Sequence, residues 1–232
     1  MPEKAIAERH RSSTRRLITG IGLALIVLGM LWFSVFRTEE SIDLGTTATV
    51  LAKPRPLPAF TLTDHQGDSF TEKSLHGQWT FLYFGYTSCP DVCPPVLATL
   101  IRTDRILRET PAPGSSRPVP RIVFVSLDPE RDTKERIMRY LSRFNPDFLG
   151  ATGTEEEIRN LTRQLGVTYR RSYKDKPGED YIIDHSSFIL LITPQGRIRA
   201  TFFPPHDPAA IAEDFRKISV IIGNRPGESV FD

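Results

Sequence analysis

The chain has 232 residues, 39% of them hydrophobic and 25% charged, with a formal net charge of +2, as expected of one globular domain with appendages. The excess charge lies in residues 1–37, where Lys4, Arg9, Arg11, Arg15, Arg16 and Arg37 face only Glu3 and Glu8, so the remainder is net acidic and nucleic-acid binding gains no support. The two cysteines, Cys89 and Cys93, are too few and too close for a disulfide-rich scaffold or for a stabilising cross-link. Redox or metal chemistry is the better reading.

Residues 17–36 (LITGIGLALIVLGMLWFSVF) carry no charge. At about 1.5 Å per residue they span the roughly 30 Å hydrocarbon core. Trp32 and Phe33 sit near one end, where aromatic rings favour the interface. Arg37, Glu39 and Glu40 follow in place of a small-x-small cleavage site, so the segment reads as an uncleaved anchor embedded in lipid rather than a signal peptide. Five Lys/Arg precede it, which places residues 1–16 in the cytoplasm and everything after Phe36 outside it. The expected location is the bacterial inner membrane with a periplasmic domain; the alternative is the mitochondrial inner membrane facing the intermembrane space. Residues 37–58 read as a linker stiffened by Pro54, Pro56 and Pro58. Residues 59–223 form the domain, and 224–232 a flexible tail.

Within the domain, strands are expected at 60–63, 80–86, 121–127, 187–193 and 197–203. Pro194-Gln195-Gly196 is a tight turn joining the last two as a hairpin. Helices are expected at 95–108, 134–144, 155–165 and 208–222, with Thr154 and Glu157 as a capping box. Residues 111–120 read as a Pro/Ser-rich loop and 169–181 as a polar, exposed excursion. The order β-α-β-α-α-β-β-α predicts an α/β fold, with a central mixed sheet flanked by helices.

The segment Gly85-Tyr86-Thr87-Ser88-Cys89-Pro90-Asp91-Val92-Cys93-Pro94-Pro95 falls between a buried strand and a helix. Ligands bind beyond strand carboxyl ends in such sheets, and a helix N-terminus stabilises the thiolate. Buried, inert cysteines are the alternative, but these two sit in a Pro/Asp/Ser-rich turn, not an apolar run. The domain holds four histidines: His65, His76, His185 and His206. His65 and His76 fall in polar loops, and His206 precedes the last helix. His185, in Asp184-His185-Ser186-Ser187, stands at the entrance of a central strand; from spacing alone a ligand and a structural role are evenly matched. The methionines are Met1, Met30 and Met138, so a Met-rich copper site is excluded. A soft-metal site would use Cys89 and Cys93 with an imidazole, a set suited to Cu(I) and able to hold Cu(II), whereas zinc wants a fourth ligand. In Ser126-Leu127-Asp128-Pro129-Glu130-Arg131-Asp132-Thr133, Asp128 ends a strand on the cysteine side. It is placed to bond the cysteine loop or a metal-bound His; the alternative is a plain strand-end carboxylate, with Asp132 or Thr133 capping the next helix.

Three motifs carry a resemblance to the Sco/SenC family of copper chaperones: Gly85 to Pro94, Ser126 to Thr133, and Tyr181-Ile182-Ile183-Asp184-His185-Ser186-Ser187. The resemblance implies a thioredoxin-like fold and copper, Cu(I) or Cu(II), held by Cys89, Cys93 and His185. It implies a part in assembling the binuclear copper centre of cytochrome c oxidase subunit II, as a metallochaperone rather than an enzyme. Asp128 would support the ligands from outside, and the 169–181 excursion would be a mobile loop bringing His185 to the cysteines. Ser88 departs from the family, many members having His there, which bears on thiol tuning. Candidate further partners are another periplasmic copper chaperone or a thioredoxin-like reductase. The competing reading makes Cys89 and Cys93 a redox pair of a thiol–disulfide oxidoreductase that keeps the oxidase cysteines reduced. The C-x3-C spacing and His185 weigh against it. A peroxide-reducing enzyme would want Thr three residues before its reactive cysteine, where Tyr86 and Pro90 stand.

Overall fold

Strand β4 (Thr80–Gly85) is buried at every position. An unbroken apolar run of this kind belongs in the middle of a sheet covered on both faces. The computed structural model, which describes residues 47–109, 119–173 and 181–223, has that arrangement. The remaining strands of the main sheet are β1 (Thr49–Pro56), β2 (Thr61–Asp64), β3 (Ser69–Thr71), β5 (Arg121–Ser126), β6 (Leu149–Thr152), β9 (Ile189–Ile192) and β10 (Arg197–Phe202). They lie in the order β1-β10-β9-β4-β5-β6-β2-β3. The central β4, β5 and β6 are parallel and the outer pairings antiparallel. The expected mixed sheet is therefore present.

The pleat of β4 divides the interior. Phe81 and Tyr83 face a core shared with helices α1 (Cys93–Glu109), α2 (Lys134–Leu141) and α4 (Pro208–Gly223). Leu82 and Phe84 face the other, shared with α3 (Glu155–Leu165). Along α1 the buried residues Cys93, Val96, Leu97, Leu100, Thr103 and Leu107 recur at helical spacing, so one stripe faces the sheet and its first member is a cysteine. The capping box of α3 forms as expected, Thr154 and Glu157 bonding reciprocally. The 194–196 turn also forms, with Gly196 at φ 68°, the left-handed conformation that glycine tolerates.

Five strands differ from expectation, the shortest being β3, three residues paired antiparallel with β2. Residues 49–56, placed in the linker by their prolines, form β1, which pairs antiparallel with β10 and buries Val50. The register shifts between Val50 and Arg55, and β1 is an edge, where a residue without an N–H is tolerated. Strand β6 (LGAT) is short and half of it is Gly and Ala, leaving little apolar alternation to read. The ends of the 169–181 excursion are strands β7 (Tyr169–Tyr173) and β8 (Tyr181–His185), paired as a separate two-stranded ribbon. Their sequences, YRRSY and YIIDH, are too polar to signal burial. Helix α2 stops at Leu141, three residues short of the expected end.

The expected cytoplasmic segment, anchor and tail, the first part of the linker and the stretches 110–118 and 174–180 lie outside the described residues. Among the described residues no helix is long and apolar enough to cross a membrane.

Candidate metal centre

Cys89 sits in the turn that links β4 to α1, its N–H donating to the Tyr86 carbonyl at 3.2 Å. Cys93 opens α1, and its N–H donates to Cys89 Sγ at 3.3 Å. The helix N-terminus therefore points a free backbone donor at the first sulfur, as a thiolate requires. Both thiols are free and buried. His185 ends β8 and places Nε2 3.4 Å from Cys93 Sγ. Its Nδ1 lies 2.9 Å from the Ser186 carbonyl oxygen. A carbonyl only accepts, so Nδ1 carries the proton and Nε2 turns its lone pair to the sulfurs, the tautomer a metal ligand needs. Among the described residues, Cys89, Cys93 and His185 form the group of potential ligands whose donor atoms all lie within 4.8 Å of one another.

The two sulfurs differ electrostatically. A hydrogen bond from the Cys93 side chain, with further bonds from the Cys93 and Val92 N–H groups, pulls the Cys89 thiol down to about 3 against the opposing effect of burial. The Cys93 thiol is pushed far up, first by its bond to Cys89, then by burial and the Cys89 charge. Near neutral pH the pair is one thiolate and one thiol sharing a proton. The deeply buried Tyr83 phenol is raised by burial and by Cys93, so it remains a protonated donor beside the pair.

Gly85 makes room for this arrangement. A Cβ there would lie 2.7 Å from Cys93 Sγ and 2.9 Å from the Phe124 ring. The signal was a glycine closing an otherwise apolar strand, a mark of close approach.

The acidic residues divide the work differently from expectation. Asp132, foreseen at most as a helix cap, braces the cysteine turn. Its buried carboxylate accepts from Thr87 N–H at 2.9 Å, Thr87 Oγ1 at 2.5 Å and Ser126 Oγ at 2.6 Å. Burial raises it, and the Ser126 and Thr87 donors hold it back. Thr133 is the cap of α2. Arg136 reaches over the same turn, donating to Thr87 Oγ1 at 2.8 Å and to Ser88 Oγ at 2.7 Å, so Ser88 acts as an anchor point for the turn.

Asp128 is fully buried, but among the described residues its carboxylate bonds neither the cysteines nor His185. It pairs with Arg131 and accepts from Tyr181 Oη at 2.6 Å, at the start of the strand that ends in His185. Arg131 also donates to the Tyr181 carbonyl at 2.9 Å and lies 3.6 Å over its ring. Further ties are Ile183 N–H to Tyr86 Oη at 3.2 Å and Arg171 to Glu130 and Glu155 at 2.7 and 2.9 Å. Asp128 thus ties down the ribbon that carries His185 rather than touching the potential ligands. Tyr181→Phe is expected to loosen that attachment and lower metal affinity several-fold, since a charge-assisted bond contributes about 1.5–3 kcal/mol. Chelator competition checks it, and unchanged affinity would show the Tyr181–Asp128 bond to be irrelevant to His185.

The other histidines stay apart. His65 Nδ1 accepts from Gly150 N–H at 2.8 Å, His76 packs against Gly196, and His206 Nε2 bonds the Ser187 carbonyl at 2.8 Å. The even odds given to His185 resolve because the ribbon folds its last residue onto α1.

These features define an α/β protein that presents two sulfurs and an imidazole at a helix N-terminus. The SCO1/SenC family model matches residues 50–219, and the chain belongs to that family. It is 43% identical over 147 residues to the human mitochondrial protein SCO1 homolog, covering 63% of this chain and 47% of that protein. It is 36% identical over 200 residues to the SCO2-like protein RC0895 of Rickettsia conorii, covering 86% and 92%. The chain spans about half the length of the mammalian SCO1 relatives it matches. Among solved structures, Arabidopsis thaliana ScoI with copper bound superposes with TM-score 0.63 at 34% identity, covering 69% of this chain and 96% of that one. Yeast Sco1 with copper bound gives 0.65 at 30% identity, covering 75% and 92%. The thioredoxin-like arrangement implied by the resemblance holds for the described domain.

Proposed function

We propose that this chain is a membrane-anchored copper metallochaperone. It holds copper on Cys89, Cys93 and His185 and passes it to the binuclear centre of cytochrome c oxidase subunit II. The observation that carries the reading is the convergence of two sulfurs and a correctly oriented Nε2 within 4.8 Å. That donor set fits a soft three-coordinate ion better than zinc, which takes a fourth ligand. Relatives at 34% and 30% identity were solved with copper bound, which supports the choice of metal. The oxidase target comes with family membership. Residues 17–36 supply the anchor and set the domain on the periplasmic face of a bacterial inner membrane, or in the intermembrane space of a mitochondrion; relatives occur in both mitochondria and Rickettsia. A copper donor chaperone and a thioredoxin-like reductase are the natural further partners, since loading requires reduced thiols. A purely redox role for the pair has no use for an imidazole 3.4 Å from Cys93 Sγ, and is not favoured.

Anaerobic titration of the reduced full chain with Cu(I) tests the reading. One tightly held copper per chain is expected; absence of stoichiometric binding refutes it.

A further inference from the structure

Among the described residues, strands β7 and β8 pair only with each other, so attaching the ribbon to the body of the domain falls largely to side chains. In the ribbon's register Tyr169 stands opposite His185, and Arg171 opposite Ile183. Both β7 residues reach one carboxylate. Tyr169 Oη donates to Glu155 Oε1 at 3.1 Å, and Arg171 Nη2 donates to Glu155 Oε2 at 2.9 Å. Arg171 Nη1 donates to Glu130 Oε1 at 2.7 Å. Glu155 lies in the first turn of α3 and Glu130 in the loop between β5 and α2, so one guanidinium joins β7 to two separate elements. The Arg171 side chain is 19% exposed, against 61% for Glu130 and 35% for Glu155. The same guanidinium lies 5.3 Å over the Tyr181 ring, which Arg131 covers at 3.6 Å.

Charge-assisted hydrogen bonds exceed neutral ones, and the planar fork of a guanidinium fixes direction as well as distance. β7 offers no ligand to the metal centre, but its ladder to β8 carries its position to His185. We infer that Arg171 is a positioning residue for His185: its pair with Glu155 holds β7 against α3, and the β7–β8 ladder then keeps Nε2 at the sulfurs. The inference rests on the copper reading for its effect on metal, whereas its effect on the ribbon needs no metal. Groups that support a ligand change metal affinity about 10–100-fold. Removing Arg171 should open the ribbon without unfolding the sheet. Both carboxylates are exposed enough to rehydrate, and a buried Nε that has no hydrogen-bond partner among the described residues is lost with the guanidinium. Local opening of this kind costs less than global unfolding.

The test compares the full chain with Arg171→Met, Glu155→Gln and the double variant. Arg108→Met, which removes an exposed ion pair to Asp104 on α1, is the control. Hydrogen exchange of the metal-free proteins comes first. Arg171→Met and Glu155→Gln should speed exchange in residues 181–186 several-fold and leave β4 at the parent's rate, while Arg108→Met changes neither. The double variant should add little to Arg171→Met, because both changes break the same pair. Cu(I) affinity by chelator competition and X-ray absorption at the copper edge follow. Arg171→Met should bind Cu(I) about ten-fold more weakly, keeping both sulfurs and losing part of the imidazole contribution. Parental exchange at 181–186 in Arg171→Met overturns the inference. So does faster exchange that spreads equally into β4, full additivity in the double variant, an equal shift in Arg108→Met, or an imidazole contribution left intact. If the parent binds no copper, the copper reading falls, and the exchange comparison alone decides whether Arg171 holds the ribbon.

Discussion

Replacing His185 with alanine is expected to weaken copper binding by more than about 100-fold, because groups that merely support a ligand already account for 10–100-fold. The imidazole is one of three converging donors, and its Nε2 is fixed by the bond from Nδ1 to the Ser186 carbonyl. Without it, copper retains two sulfurs and water. The fold should survive, since His185 closes a ribbon outside the main sheet and is only half-buried. Circular dichroism of the variant should match the parent while its copper affinity collapses. Unchanged affinity and spectrum would remove His185 from the ligand set.

Cys93→Ser carries the second large effect, and it has two parts. Serine is a poor ligand for a soft ion, so stoichiometric copper should be lost. The second part needs no metal. The Cys93 side chain gives the largest contribution holding the Cys89 thiol at about 3. In the reduced parent Cys89 is thus already a thiolate above that pH, and its alkylation by iodoacetamide should be nearly flat from about pH 5 to 8, where an ordinary thiol, with a pKa near 8.5, gains about ten-fold per unit. In Cys93→Ser the Cys89 pKa moves up, so the rate at about pH 5.5 should fall roughly ten-fold and regain its dependence on pH. Mass spectrometry of the labelled peptide separates the cases. A steep profile in the parent, or an unchanged one in the variant, contradicts the shared-proton account.

The elements that sequence reasoning found were those with strong local signals. β4 and β5 are unbroken apolar runs, α1 has a buried stripe at helical spacing, and α3 has its capping box. The elements missed are defined by partners distant in sequence. β1 is a proline-bearing edge that acquires meaning only opposite β10, and β7 and β8 are polar strands that pair with each other. The site divides in the same way. Cys89 and Cys93 were legible because the whole turn is local. His185 lies 92 residues from Cys93, and its place depends on a ribbon invisible to periodicity, so family resemblance had to supply it. Asp128 was expected at the cysteine loop or the His, whereas its side chain meets Arg131 and Tyr181, and Asp132 was underrated. No local pattern shows that a carboxylate 45 residues downstream will accept the Thr87 N–H. Gly85 and Tyr83 left no signal beyond an apolar strand ending in glycine.

The anchored chaperone reading depends on copper being held by two sulfurs and one imidazole nitrogen. X-ray absorption at the copper edge of the reduced, Cu(I)-loaded full chain measures that shell directly. Two sulfur neighbours and one imidazole are predicted, with the imidazole contribution absent after His185→Ala. A shell of sulfur alone in the parent, or one with no sulfur, would contradict it.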